Sequence, residues 1–406
     1  MNEIADDKTI LIATWVAPIS SPLIERGAVC FHADRILAVG TIDSLKKQIP
    51  DANVVDCGNA VILPGLINAH THLELSNIQR GNPPARFVDW IIQLMNTPVP
   101  PGGVEAGIAQ CLRFGVTAVG DITSQPAITR PVLSQSPLRG VSYGEVRAMA
   151  QRRGFLEPRL ATAIEPIPPG QNSTVATGIT PHAPYSIESA GYERCLQTAR
   201  TLSLPLATHL AETPDEANFL ADHTGPFKAL WDLLRAWDEH VPTFNGGPIR
   251  LAKSIGLLDY PALLAHVNYC DDDELDLLAS GQASVVYCPR THAFFNHPPH
   301  RWRDMLARGI NVAVGTDSCA SSPDLNLVDD LRLLHRIAPE VDPQMLWEMA
   351  TTRAARAIGT ANIGAIEPGL APDLVVFPIS GNDPLLEILE NAIVPMRVWA
   401  RGLEVP

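Results

Sequence analysis

Lysine is nearly missing from this chain. Of 30 basic residues in 406, only five are lysines, at positions 8, 46, 47, 228 and 253, and none lies between Lys47 and Lys228. The basic set is outnumbered by 44 acidic residues, giving a formal charge of −14. A nucleic-acid polymer is thereby excluded as a partner, because phosphate contacts need a basic face. The seven cysteines (30, 57, 111, 195, 270, 288, 319) are odd in number and contain no Cys-x-x-Cys pair. That spacing argues against a disulfide framework or a thiolate zinc site and for reduced thiols in a cytosolic protein. No apolar run approaches the ~18 residues of a membrane span. The first run, Ile10 to Val16, is interrupted by Thr14 and has no basic segment before it. It reads as a strand rather than a signal peptide, so the expected location is cytoplasmic and no membrane partner is expected.

What the chain does have is 46% hydrophobic residues in a globular pattern, enough for two or three domains. Short β-like runs separated by turn residues occupy positions 9–64 and return over the last forty residues. Between them, apolar runs alternate with helix-length amphipathic stretches, as in a parallel sheet. The runs are Val61 to Asn68, Val116 to Ile122, Gly140 to Val146, Val175 to Thr180, Leu206 to Leu210, Leu263 to Val267, Ser284 to Cys288 and Asn311 to Gly315. Eight such units in roughly 300 residues fit the size of an α/β (β/α)8 TIM barrel, and the count favours it over a doubly wound sheet. Residues 224–256 interrupt the alternation, either as a lid over the C-terminal mouth or as an extra packing helix.

The first run leads into His70-Thr-His72-Leu-Glu74. Two histidines at i and i+2 on an extended chain project to one face, so both imidazoles can reach one cation. His209, His266 and Asp317 follow the fifth, sixth and eighth runs. Five ligand-type side chains thus fall at C-terminal strand ends, where barrel active sites are built.

This pattern resembles the amidohydrolase superfamily, with His-x-His after strand one, His after strands five and six, and Asp after strand eight. The resemblance implies a barrel plus a small β-sandwich assembled from both chain ends, divided as 1–64, 65–365 and 366–406. It also gives the lysine gap a meaning: binuclear members bridge two metals with a carboxylated lysine after strand four, and no lysine lies there. A glutamate-bridged pair is not excluded by that gap. His209-Leu-Ala-Glu212 instead is similar to the mononuclear deaminase branch, in which that glutamate shuttles protons. His70, His72, His209 and Asp317 would then hold one divalent ion, zinc first and iron second, leaving a position for water whose pKa falls towards ~7. Glu212 would protonate a ring nitrogen, Asp317 would relay the water's proton, and His266 would orient the attacking oxygen or serve as a further ligand. Capping of the following helix is the bland alternative for Glu212.

For the substrate, Glu145, Arg147 and His182 resemble the sugar-recognising positions of adenosine-type deaminases, including those acting on methylthioadenosine and S-adenosylhomocysteine. Glu145 and Arg147, two apart, also fit a simple ion pair. His72-Leu-Glu74-Leu-Ser76, Phe87-Val-Asp-Trp90-Ile91 and Cys288-Pro-Arg290-Thr-His-Ala-Phe294-Phe295 resemble aminodeoxyfutalosine deaminases of the menaquinone pathway. That likeness makes Glu74 a substrate contact, Trp90 or Phe294 a stacking partner for a second ring, and Arg290 the partner of a carboxylate. Trp90 reads equally well as a core anchor of its helix. His292, His297 and His300 read as a solvated loop. Competing expectations are a guanine-type base deaminase, a triazine-type chlorohydrolase, and a non-catalytic barrel module. The substrate is in each enzymatic case a small molecule, and a homo-oligomer is left open.

Overall fold

The computed structural model describes residues 8–167 and 174–405. Strands from both chain ends form one eight-stranded sheet: β1 (Thr9–Val16), β2 (Ile24–His32), β3 (Arg35–Thr41), β4 (Asn53–Asp56) and β5 (Ala60–Pro64) from one end. Eight further strands follow in the middle, β6 (Leu66–Thr71), β7 (Val116–Thr123), β8 (Arg139–Val146), β9 (Val175–Pro181), β10 (Ala207–Leu210), β11 (Leu263–His266), β12 (Ser284–Tyr287) and β13 (Val312–Val314). The last three, β14 (Leu374–Pro378), β15 (Arg397–Ala400) and β16 (Leu403–Val405), complete the first sheet in the order β16-β15-β14-β5-β1-β2-β3, with β4 beside β1. Strand alternation sorts β1 between two cores. Leu11 and Ala13 pack with Val29, Phe31, Ile62 and Trp399, whereas Ile10 and Ile12 pack with Ala28, Cys30 and Leu45.

The middle strands run parallel in two sets, β6-β7-β8-β9 and β10-β11-β12-β13. Parallel bridges join Ile179 to Leu206 and Thr71 to Asp317, linking the sets at both seams in a TIM-barrel-like arrangement. Six of these strands are buried along their whole length, as expected where helices cover one face and the strands' own side chains fill the other. The inner filling alternates small and large residues: Ala69, Ala118, Ala207, Ala265 and Ala313 beside Ile67, Tyr143, Leu263 and Val286. Outside, the helix Leu327–Ile337 turns Leu327, Val328, Leu331 and Leu334 inward at helical spacing.

The structure corrects the first expected barrel strand. Val61 to Asn68 is two elements, because the chain breaks at Pro64-Gly65 and β5 joins the sheet of chain ends while β6 starts the parallel set. Gly65 is required there, since a Cβ would sit 2.1 Å from Thr117 Oγ1 of β7. All seven cysteines are unpaired. Among the described residues no helix is long and apolar enough to cross a membrane.

Candidate active site

His70, His72, His209, His266 and Asp317 converge where β6, β10, β11 and β13 end. Ring nitrogens of His70, His72 and His209 all lie within 4.8 Å of one another. Asp317 Oδ1 is 3.7 Å from His70 Nε2 and 3.6 Å from His72 Nε2. Neither ring nitrogen of His70 has a hydrogen-bond partner, although the residue is fully buried. Burial, followed by the neighbouring His70, pulls His72 and His209 down to about 3, so both are neutral with lone pairs to offer. Orphaned, buried ring nitrogens beside a carboxylate are what a divalent ion would satisfy, and the residues present fit one. Outer contacts orient the set. His209 Nδ1 donates to the His182 carbonyl at 3.0 Å, which turns Nε2 inward, and Ser321 Oγ donates to Asp317 Oδ2 at 2.9 Å, which leaves Oδ1 facing the imidazoles.

The backbone bends sharply at these strand ends. Ala211, His266, Val267 and Asp317 all have left-handed φ values, between 48° and 75°, conformations that cost non-glycine residues of order 1–3 kcal/mol each. Gly315 lets the end of β13 approach β6, because a Cβ there would lie 2.7 Å from the His70 carbonyl oxygen. Glu212, on the bend after β10, is buried with its Oε1 3.4 Å from His266 Nε2. Burial raises its carboxyl well above the usual range, and the nearby Asp317 and Glu216 charges push the same way. Both effects favour the protonated form of the carboxyl. Glu216 clamps this bend by accepting the backbone N–H groups of Ala211 (2.9 Å), Glu212 (2.6 Å) and Thr213 (3.2 Å). Glu212 does not cap the helix that follows, Asp215–Asp222: its N-cap is Pro214, and no side chain there makes a capping hydrogen bond.

A cavity of about 440 Å³ opens from the metal-type cluster. Glu74, Trp90, Glu145, Arg147 and His182 line it, together with Glu212 and His266. Glu145 and Arg147 do pair with each other, and both still face the cavity, with His182 Nε2 3.9 Å from Glu145. Glu74 is already held by Thr123 and by the backbone and hydroxyl of Ser124. Trp90 Nε1 donates to the Ala320 carbonyl at 3.3 Å. Leu230, Trp231 and Leu234, from the inserted segment 224–256, close one side.

Two expected substrate contacts are not among the cavity-lining residues. Arg290 instead sends its guanidinium into Asp330 (2.9 Å) and Asp324 (2.7 Å), a buried network that consumes its charge. Phe294 packs edge-on against Phe295 beneath the Arg80 guanidinium. His292, His297 and His300 are not a solvated loop either. His292 and His300 are buried around Tyr287, and His297 bonds the Tyr269 hydroxyl at 2.9 Å. Sequence reasoning missed Arg152 and Arg159, which line the cavity from the helical stretch after β8, and missed Glu216. The only signal for the arginines was their density between positions 147 and 159.

The family model for the amidohydrolase family matches residues 61–403. The chain belongs to the amidohydrolase family. This amidohydrolase is 29% identical over 407 residues to a 5-methylthioadenosine/S-adenosylhomocysteine deaminase of Nitratidesulfovibrio vulgaris, covering 94% of the chain and 86% of that protein. It is 28% identical over 346 residues to the aminodeoxyfutalosine deaminase of Deinococcus radiodurans, covering 82% and 81%. Its fold is that of the Helicobacter pylori aminofutalosine deaminase crystallised with methylthio-coformycin, at TM-score 0.87 and 23% identity over 98% of this chain and all of that one. Family and relatives together support a hydrolytic deaminase.

Proposed function

We propose that this amidohydrolase deaminates an adenine-type nucleoside by metal-dependent hydrolysis, with 6-amino-6-deoxyfutalosine as its substrate. The observation that carries the reaction type is the buried Glu212 carboxyl, 3.4 Å from His266 Nε2 at the edge of a cluster fit for one divalent ion. His70, His72, His209 and Asp317 would hold that ion, and imidazole with carboxylate suits zinc first and iron second. When bound, the ion lowers the pKa of a water molecule from 15.7 towards ~7, so hydroxide is available at neutral pH. Glu212 gives its proton to the ring nitrogen beside the amino-bearing carbon, making that carbon electrophilic. His266 Nε2 orients the attacking oxygen and stabilises the developing charge. Asp317 takes the remaining proton of the attacking oxygen and passes it to the departing amine. The first proton of the water leaves to solvent and solvent restores the proton on Glu212, so that water and the amino compound become the oxo compound and ammonia.

The cavity supports a nucleoside with an extended 5′ arm. Glu145, Arg147 and His182 offer a polar wall suited to ribose hydroxyls. Phe87, Trp90 and Trp231 offer flat apolar surface for a second ring, and Arg152 and Arg159 offer cationic groups for a carboxylate. The carboxylate role assigned from sequence to Arg290 thus passes to these two. The second reading, a methylthioadenosine or S-adenosylhomocysteine deaminase, is favoured by the 29% identical relative of that name.

The test is ammonia release from aminodeoxyfutalosine, methylthioadenosine, S-adenosylhomocysteine and adenosine, with metal analysis and a Glu212→Gln variant. One divalent metal per chain, highest kcat/KM for aminodeoxyfutalosine and a loss of about 10²–10⁴ in the metallated variant are expected. Silence on all four nucleosides refutes the substrate class, and a fully active variant refutes the mechanism.

A further inference from the structure

We infer that His300 is a positioning residue for His266, acting through the main chain; the inference rests on the orienting role given to His266 above. β11 pairs with β12 only from Leu263 to Ala265, so His266 lies one residue past that ladder. His266 (φ 75°) and Val267 (φ 48°) are consecutive left-handed residues, and the Val267 N–H folds back to the carbonyls of Leu210 and Ala265. This bend turns the His266 ring towards Glu212 and leaves its carbonyl, in a buried residue, needing a donor from outside the sheet. His300 Nε2 supplies it at 2.9 Å.

The donor is held on every side. The His300 ring stacks on Tyr287 at 3.9 Å and 17°, and His292 meets it near edge-on at 5.8 Å. Pro298 and Pro299 restrict the main chain that delivers it. Donation from Nε2 leaves Nδ1 as a bare acceptor, and that atom is buried without a partner. An aliphatic side chain would fill the same volume without an orphaned nitrogen. What histidine adds is the Nε2–H, and its recipient is the carbonyl of the residue that faces Glu212. No residue between 288 and 300 lines the cavity, so His300 affects the reaction through His266 and not by touching substrate.

Steady-state kinetics, metal content and thermal unfolding of His300→Leu, His300→Gln and His266→Asn test this. A glutamine Nε2 stands as many bonds from Cα as the histidine Nε2, so it can restore the donor. The expected result is a kcat of His300→Leu lowered at least ~10-fold, with KM within ~2-fold and metal retained, and His300→Gln within ~3-fold of wild type. Should the leucine variant fail to fold, His300→Asn, whose amide stops one bond short, takes its place with the same expectation. Wild-type kcat in the donor-less variant, or glutamine falling as far as leucine, overturns the inference while the deaminase reading stands. Wild-type kcat in His266→Asn instead overturns the role of His266 itself, and the inference with it.

Discussion

His292 gives the protein a built-in sensitivity to acid, and its size follows from burial. Its ring is buried beside Tyr287, with Nε2 lacking a partner, and burial, then the neighbouring His300 and His297, pull it down to about 3 from 6.5. The unfolded chain has no such constraint and protonates this histidine near 6.5. Between those values the unfolded state binds more protons, so stability is full above about 6.5 and falls as pH drops below it. At pH 5.0 the difference spans 1.5 pH units at ~1.4 kcal/mol each, or about 2 kcal/mol from this residue. Replacing it by leucine removes that contribution. Urea unfolding of wild type and His292→Leu at pH 7.5 and 5.0 therefore yields four free energies, and the loss from pH 7.5 to 5.0 is smaller by about 2 kcal/mol in the variant. Proton uptake by groups away from His292, including the metal-type cluster, is common to both proteins and cancels, and His297 and His300 titrate below that pH range, at about 4. A difference below ~0.5 kcal/mol, or one of opposite sign, refutes the claim that His292 is neutral in the native state.

Glu216→Ala orphans three buried N–H groups on the bend that carries Glu212, at about 1–3 kcal/mol each, so unfolding midpoint and kcat fall together while KM changes little. An unaltered kcat in a folded variant contradicts the clamp. Arg290→Met strands the fully buried Asp330 and costs about 3–5 kcal/mol, measured by urea unfolding. The ratio of KM values for a carboxylate-bearing and a carboxylate-free nucleoside stays constant in that variant; a selective rise for the carboxylate substrate returns Arg290 to the cavity.

What could be read from sequence divides along physical lines. His70 and His72 were legible because a two-residue period on a strand puts both on one face, and His209, His266 and Asp317 because each ends an apolar run. The two-part nature of Val61 to Asn68 was hidden, since both halves are equally apolar and the break depends on Gly65 meeting Thr117 across the fold. Arg290 was misplaced because its acidic partners lie 34 and 40 residues downstream, on a segment whose return towards it is a tertiary event. The same holds for His292 and His300. Beside two prolines they look like a polar loop, and only the packing of Tyr287 makes them interior. Arg152 and Arg159 sit on short helical turns, where an arginine normally faces water, so no local signal turned them inward.

The seam between the first and last parallel strands carries a consequence for how the protein is made. Thr71 Oγ1 donates to the Asp317 carbonyl across 246 positions of sequence, and the Asp317 N–H donates to the His70 carbonyl. The strand that enters the sheet of chain ends beside β1, β5, likewise has its other edge completed by β14, more than 300 residues later. A chain growing from its N-terminus therefore carries His70 and His72 through most of its synthesis without the aspartate that completes the set. Asp317, proposed here as both fourth ligand and proton relay, and β14, the last sheet partner of β5, arrive only in its final quarter. A chain that stops before Asp317 lacks the residue proposed here as fourth ligand and proton relay, and on that reading it has no deaminase activity.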